Sequence, residues 1–116
     1  MQKKRLIFLN ALPLNAFRRY RQFRLAITRV DLQQIKEIIR SWGDKIEVTN
    51  YIRHPSTAKL LSEMLGLDLQ PNSGLYSYEP GDSIVVVTLR RPPRGQEVQA
   101  TINDLDIYLV TVEWGQ

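Results

Sequence analysis

The sequence predicts one small α/β (α+β) domain over residues 1–116, a mixed sheet of about five strands with helices packed on it. Three observations carry this expectation. Ile84-Val85-Val86-Val87-Thr88-Leu89 is a β-branched and apolar run, the composition of a central strand covered on both faces. Two segments place apolar residues at helical spacing behind good helix starts. Residues 22–30 alternate, with Phe23, Leu25 and Ile27 on one face and Arg24 and Thr28 on the other, as in a strand with one wet face. A chain of 116 residues fits one core and is too short for two.

The elements follow in order. Leu6-Ile7-Phe8-Leu9 reads as a short buried strand. Asn10, Pro13 and Asn15 then favour a loop with at most one helical turn. After the alternating strand, Asp31 and Gln34 have capping-box spacing, and Leu32, Ile35, Ile38, Ile39 and Trp42 form one helical stripe that ends at Gly43-Asp44. Residues 45–51 predict a strand with Ile46 and Val48 on one face. Pro55 suits the first position of a second helix and holds His54 in an extended conformation. Leu60, Leu61, Met64 and Leu65 give that helix its buried stripe, and Gly66 with Leu67 has the pattern of a C-terminal stop. Asn72-Ser73-Gly74 and Pro80-Gly81-Asp82 read as turns on either side of a short strand over 75–79. Arg90-Arg91-Pro92-Pro93-Arg94-Gly95 closes the central strand. Residues 105–114 form the last strand. With so few elements, one sheet face is expected to stay open. Tyr76, Tyr108 and Trp114 then belong either to the core or to a homodimer interface.

Composition narrows the chemistry. The apolar fraction is 43% and the charged fraction 24%, ordinary for a globular domain. No apolar run is long enough to cross a membrane. The basic start Lys3-Lys4-Arg5 leads into too short an apolar stretch for a signal peptide. With no cysteine and one histidine, a disulfide framework, a cysteine nucleophile and a transition-metal site are not expected, nor is any cofactor. A cytoplasmic protein of a prokaryotic or virus-infected cell is the expectation. The net charge of +4 comes mostly from arginines, at Arg18, Arg19, Arg21 and Arg24 and again at Arg90, Arg91 and Arg94. Arginine's planar fork suits phosphate, so a phosphate-bearing partner stands beside the plain alternative of a solvated basic surface.

Three segments carry candidate chemistry: the loop with Asn10 and Asn15, the helix start His54-Pro55-Ser56-Thr57, and the strand end with Arg90, Arg91 and Arg94. Ligands of open sheets gather beyond strand ends. The asparagines either form turns or read a base edge or ribose hydroxyl. Ser56 and Thr57 either cap the helix or bind phosphate oxygens. His54 is either a surface capping residue or an acid–base group. There is no phosphate loop, no nucleophile elbow and no obvious carboxylate pair. A histidine with arginines suits metal-free RNA cleavage, in which the substrate's own 2′-hydroxyl attacks phosphorus. The histidine protonates the leaving 5′-oxygen and an arginine holds the phosphorane charge.

The segments Leu9-Asn10-Ala11 with Asn15, Tyr51-Ile52-Arg53-His54-Pro55-Ser56-Thr57 with Leu60-Leu61, Leu69-Gln70-Pro71-Asn72, and Arg91-Pro92-Pro93-Arg94-Gly95 resemble the viral type III anti-CRISPR ring nucleases and their cellular relatives. The resemblance runs from Leu6 to Trp114, and its specificity lies in the order and spacing of short pieces. It implies a homodimer of small α/β subunits that encloses cyclic tetra-adenylate and cuts it, without metal, to linear di-adenylate with a 2′,3′-cyclic phosphate end. By that resemblance His54 is the general acid, Arg91 stabilises the transition state, and Asn10 and Asn15 line the pocket. Ser56 and Thr57 match the helix start, and the extra Arg90 and Arg94 either tighten phosphate binding or shift preference to another ring size. The chain departs from the family pattern at Pro13, where a serine is frequent, at Arg94, where an acidic residue is common, and at Ser73, where an arginine is usual. The expected partners are cyclic tetra-adenylate and a second copy of the chain, with neither membrane nor DNA. The alternative expectation is a non-catalytic protein that sequesters cyclic oligoadenylate or single-stranded RNA.

Overall fold

In a computed structural model, residues 4–90 and 105–116 are described. The elements are strand β1 (Lys4–Leu9), a 3-10 turn (Leu14–Phe17), β2 (Phe23–Val30), helix α1 (Leu32–Trp42), β3 (Ile46–Asn50), helix α2 (Pro55–Leu65), β4 (Ser83–Leu89) and β5 (Leu105–Gly115). The five strands form one mixed sheet in the order β2-β5-β4-β1-β3. β1 is parallel to both its neighbours, β3 and β4. β5 is antiparallel to β4 and β2. Strand β4 is central, as its unbroken apolar run predicts.

Alternation along the strands sends side chains to two faces, and each face has its own core. Leu6, Phe8, Val85, Val87 and Ile107 point to the face covered by both helices, where Leu32, Ile35, Ala58 and Leu61 meet them. Ile7, Leu9, Ile84, Val86 and Val110 point to the other face. There the cover is irregular chain: Ala16 and Phe17 of the 3-10 turn, with Tyr76 and Tyr78. Phe17 also stacks on Phe23 with ring centroids 4.9 Å apart. That face is therefore partly covered without a helix. Tyr76 is core, whereas Tyr108 is half-buried and Trp114 is exposed. Ile27, expected on the buried face of β2, is 57% exposed because the irregular cover does not reach that edge.

The helix signals read from sequence are realised. Asp31 accepts from the Gln34 amide at 2.8 Å, and Gln34 Oε1 accepts from the Asp31 amide at 2.9 Å. That is a complete capping box. Pro55 opens α2. Gly66 ends it at φ 68°, a left-handed conformation that favours glycine, and the amides of Gly66 and Leu67 both donate to the Ser62 carbonyl.

One expected element is absent from the sheet. Residues 75–79 alternate, with Tyr76 and Tyr78 buried and Leu75, Ser77 and Glu79 exposed, yet they join no ladder. The segment lies across the second face and is held there by its aromatic side chains and by the Tyr78 amide, which donates to Ala16 O at 3.0 Å. Period-two burial reports an extended chain on a surface; it does not require strand pairing.

Asp31→Ala removes one arm of the capping box and should lower stability by about 1 kcal/mol in urea unfolding. An unchanged midpoint would show that α1 is held by packing alone.

Candidate functional site

The site arises from where the chain goes after β1 and β3. These strands are adjacent and parallel, so their C-terminal ends lie at one edge of the sheet. After β1 the chain crosses the second face through the 3-10 turn. After β3 it turns the other way into α2, on the helical face. Between two such diverging connections a crevice is left, the topological switch point of an open sheet. A cleft of about 350 Å³ occupies it. The loop after β1 lines it with Asn10, Ala11, Pro13 and Asn15, and the chain after β3 with Tyr51 and Arg53. Gly74, Leu75 and Tyr76 form the third wall.

Backbone and side-chain bonds fix these walls. The Tyr51 amide donates to Phe8 O at 2.8 Å, extending the β1–β3 ladder past β3 and setting Tyr51 beside the end of β1. Asn50 Oδ1 accepts from the Ile52 amide at 3.2 Å, which turns the chain toward α2. Asn50 Nδ2 donates to Gln70 O at 2.8 Å, and Asn72 Nδ2 donates to Asn50 O at 3.0 Å. Asn72 Oδ1 then accepts from the Gly74 amide at 2.8 Å. Two asparagines thus stitch the third wall to β3. In the sequence Asn50 falls in a predicted strand and Asn72 in a predicted turn that is also part of the family resemblance, and neither position announces this bracing role.

Tyr76 is anchored from behind. Its hydroxyl donates to Asp82 Oδ2 at 2.6 Å, and the Glu79 amide donates to the same oxygen at 3.2 Å. Asp82 is buried, and its other oxygen lies 3.2 Å from Arg5 Nε. That contact is an ion pair and not an aligned hydrogen bond. Arg5 also pairs with Glu79. Desolvation works against the Arg5 charge, but the two carboxylates outweigh it and raise its pKa further. Burial, followed by the hydrogen bond and charge of Asp82, holds the Tyr76 phenol in its protonated form well above the usual tyrosine range.

His54 is the N-cap residue of α2, extended at φ −74° and ψ 116°. It is exposed and its side chain makes no capping bond. The helix therefore begins with its amides uncapped by this residue, its positive end at the surface beside the cleft-lining Arg53. Ser56 is exposed there. Thr57 is buried on the core side of the first turn, 2% exposed, with its hydroxyl unpartnered among the described residues. Asn10 and Asn15 both line the cleft. Arg90 stands farther off. β4 is level with the last β1 residue at Val86, so Arg90 lies roughly 13 Å beyond that level along the strand. Its guanidinium bonds Asp106 at 2.9 Å, and Arg29 reaches the same oxygen at 2.5 Å. The bond from Arg90 is the first cause of Asp106's lowered pKa, with Arg29 adding to it. Arg91 and Arg94 lie outside the described residues.

Among the described residues no carboxylate lines the cleft. Among the described residues, no group of three or more His, Asp or Glu side chains is placed to hold a metal ion. None of the described helices is long and apolar enough to cross a membrane. A second cleft of about 510 Å³ lies at the other end of the β2–β5 pair, lined by Arg19, Arg21, Gln22 and Gln116.

Sheet order, helix placement and cleft together define a small α+β protein with its candidate site at the switch point between two parallel strands. The chain belongs to the STIV B116-like family, whose profile matches residues 6–111. Among solved structures it is similar to B116 of Sulfolobus turreted icosahedral virus, with a TM-score of 0.68 and 18% identity over 91% of this chain and 97% of that one. That likeness is one of fold. No curated protein matches the chain significantly.

The tyrosine anchor predicts alkaline behaviour. Tyr76 keeps its proton in the folded state, while in the unfolded chain it releases it near pH 10. Its contribution is thus complete below about pH 10 and is lost as pH rises further, by about 1.4 kcal/mol per pH step. Tyr76→Phe should cost about 1.5–3 kcal/mol at neutral pH and make the alkaline loss of stability shallower by that slope. Urea titrations at several pH values check both. An alkaline slope equal to that of the parent would contradict the anchoring.

Proposed function

We propose that the protein is a metal-independent ring nuclease, acting as a homodimer that binds cyclic tetra-adenylate and ends type III CRISPR signalling by cutting it. The observation that carries this reading is His54, exposed and free of any capping bond at the start of α2, next to a cleft that holds Asn10 and Asn15 and, among the described residues, no carboxylate. The resemblance in the asparagine loop and the helix start supports it. So does the positive end of α2, which favours a phosphate beside His54.

In this reading a ribose 2′-oxygen attacks the adjacent phosphorus and its proton passes to solvent. The bond from phosphorus to the 5′-oxygen breaks, and His54 gives that oxygen its proton. The products are a 2′,3′-cyclic phosphate and a free 5′-hydroxyl. The substrate supplies its own nucleophile, so the protein needs only an acid, positive charge and positioning. Asn10 and Asn15 hold the ligand, and Ser56, exposed in the first turn of α2, binds its phosphate. Thr57 supports the turn from within. Arg91 stabilises charge at the phosphorane, while Arg90, paired with Asp106 away from the cleft, and Arg94 add to the overall positive charge. A two-fold dimer doubles one histidine into two equivalent sites facing a ring of matching symmetry.

His54→Ala should abolish cleavage of labelled cyclic tetra-adenylate while leaving binding within a few-fold of the parent. Arg91→Ala should slow cleavage about 100-fold or more. EDTA should change nothing. Cleavage by the histidine variant at the parental rate would overturn the mechanism. Tight binding with no cleavage by the parent would favour sequestration.

A further inference from the structure

We propose that Tyr51 is the base-stacking residue of the cleft and gives it a preference for purine over pyrimidine rings. This rests on the nucleotide reading above and specifies what that same site selects. Tyr51 is half-buried and lines the cleft. Its ring is backed by Tyr76, with centroids 5.5 Å apart and planes at 57°. Tyr76 is itself buried and bound through its hydroxyl to Asp82, so the backing is rigid. A ring held in this way presents a prepared flat surface. A base stacking on it orders little else, and base–aromatic stacking is a general source of affinity for single-stranded nucleotides.

The neighbours fit the same use. A Cβ placed on Gly74 would lie 3.8 Å from Tyr51 Cε1 and 3.0 Å from Asn72 Oδ1. Glycine therefore leaves the ring uncovered where a longer side chain would lie on it. Leu75, next in the same wall, is 80% exposed and offers an apolar surface beside the ring. Asn10 and Asn15 each carry a donor and an acceptor, the pair of groups that matches the N6 and N7 edge of adenine. Among the described residues the lining holds no carboxylate to oppose the flanking phosphates.

The test uses the parent protein with 2′-O-methyl di-adenylate and 2′-O-methyl di-cytidylate, which lack the attacking hydroxyl and cannot be cut. The di-adenylate should bind more tightly by about tenfold, and nuclear Overhauser contacts should join Tyr51 ring protons to adenine H2 or H8. Tyr51→Ala should lose about tenfold in di-adenylate affinity and most of the preference, and Tyr51→Phe should restore both. Equal affinities for the two dinucleotides, or adenine contacts that avoid Tyr51, would overturn the proposal. Because the ligand contacts are read in the parent protein, the test stands even where the alanine variant folds poorly. Failure to cut cyclic tetra-adenylate would sink the nuclease reading alone, and loss of purine preference would sink this inference alone.

Discussion

A strand flanked by two parallel neighbours governs this molecule. β1 sits between β3 and β4, and Leu6, Ile7 and Phe8 have no solvent exposure. A parallel neighbour is reached only by crossing one face of the sheet. Here the chain leaving β3 enters α2 on the helical face, before its 75–79 segment returns over the other, and the chain leaving β1 goes directly to that other face. The two paths part at the C-terminal edge, and the cleft is the space between them. Burial of β1 and the position of the site are therefore one constraint seen at two levels. Its cores are also separate: two helices cover one face, while the other relies on aromatic side chains of irregular chain.

The walls of the cleft are set by polar bonds that serve no helix or sheet ladder. Asn50 and Asn72 tie the third wall to β3, and Asp82 holds Tyr76 in place against Arg5. Removing Tyr76 or Asp82 leaves a buried partner unpaired, so within that buried pair each group is worth more than it is alone. The functional consequence is a braced wall beneath the candidate site. Asn10, Asn15 and the Tyr51 ring are presented by fixed backbone, while His54 is exposed at the mouth. Charge is arranged to match, with Arg53 and the α2 dipole at the cleft, while Glu79, Asp82 and Asp106 are paired with arginines.

Much of this was legible in the residues. Apolar runs announced β1 and β4, and Asp31, Pro55 and Gly66 marked helix ends through local chemistry that tertiary context did not override. The signal at 75–79 misled because alternation records which side chains are buried and not what the backbone pairs with. The two buried tyrosines sit over the sheet and not in it. Asn50 and Asn72 were illegible because their partners are main-chain groups about twenty residues away. Burial of Thr57 follows from its place beside Ala58 and one turn before Leu61 on the inward stripe of α2. The distance from Arg90 to the cleft depends on strand register, which pairs Val86 with Leu9 and carries β4 onward beside β5. No feature of the Arg90 segment itself reports that register.

The central claim is that the switch-point cleft, and not another basic surface, receives the nucleotide. Chemical-shift mapping of the His54→Ala protein with cyclic tetra-adenylate tests it directly. The account predicts that the perturbed amides cluster at Asn10 to Asn15, at 51–58 and at Gly74. Perturbation centred instead on the cleft of Arg19, Arg21 and Gln22, with the switch point unmoved, would contradict it.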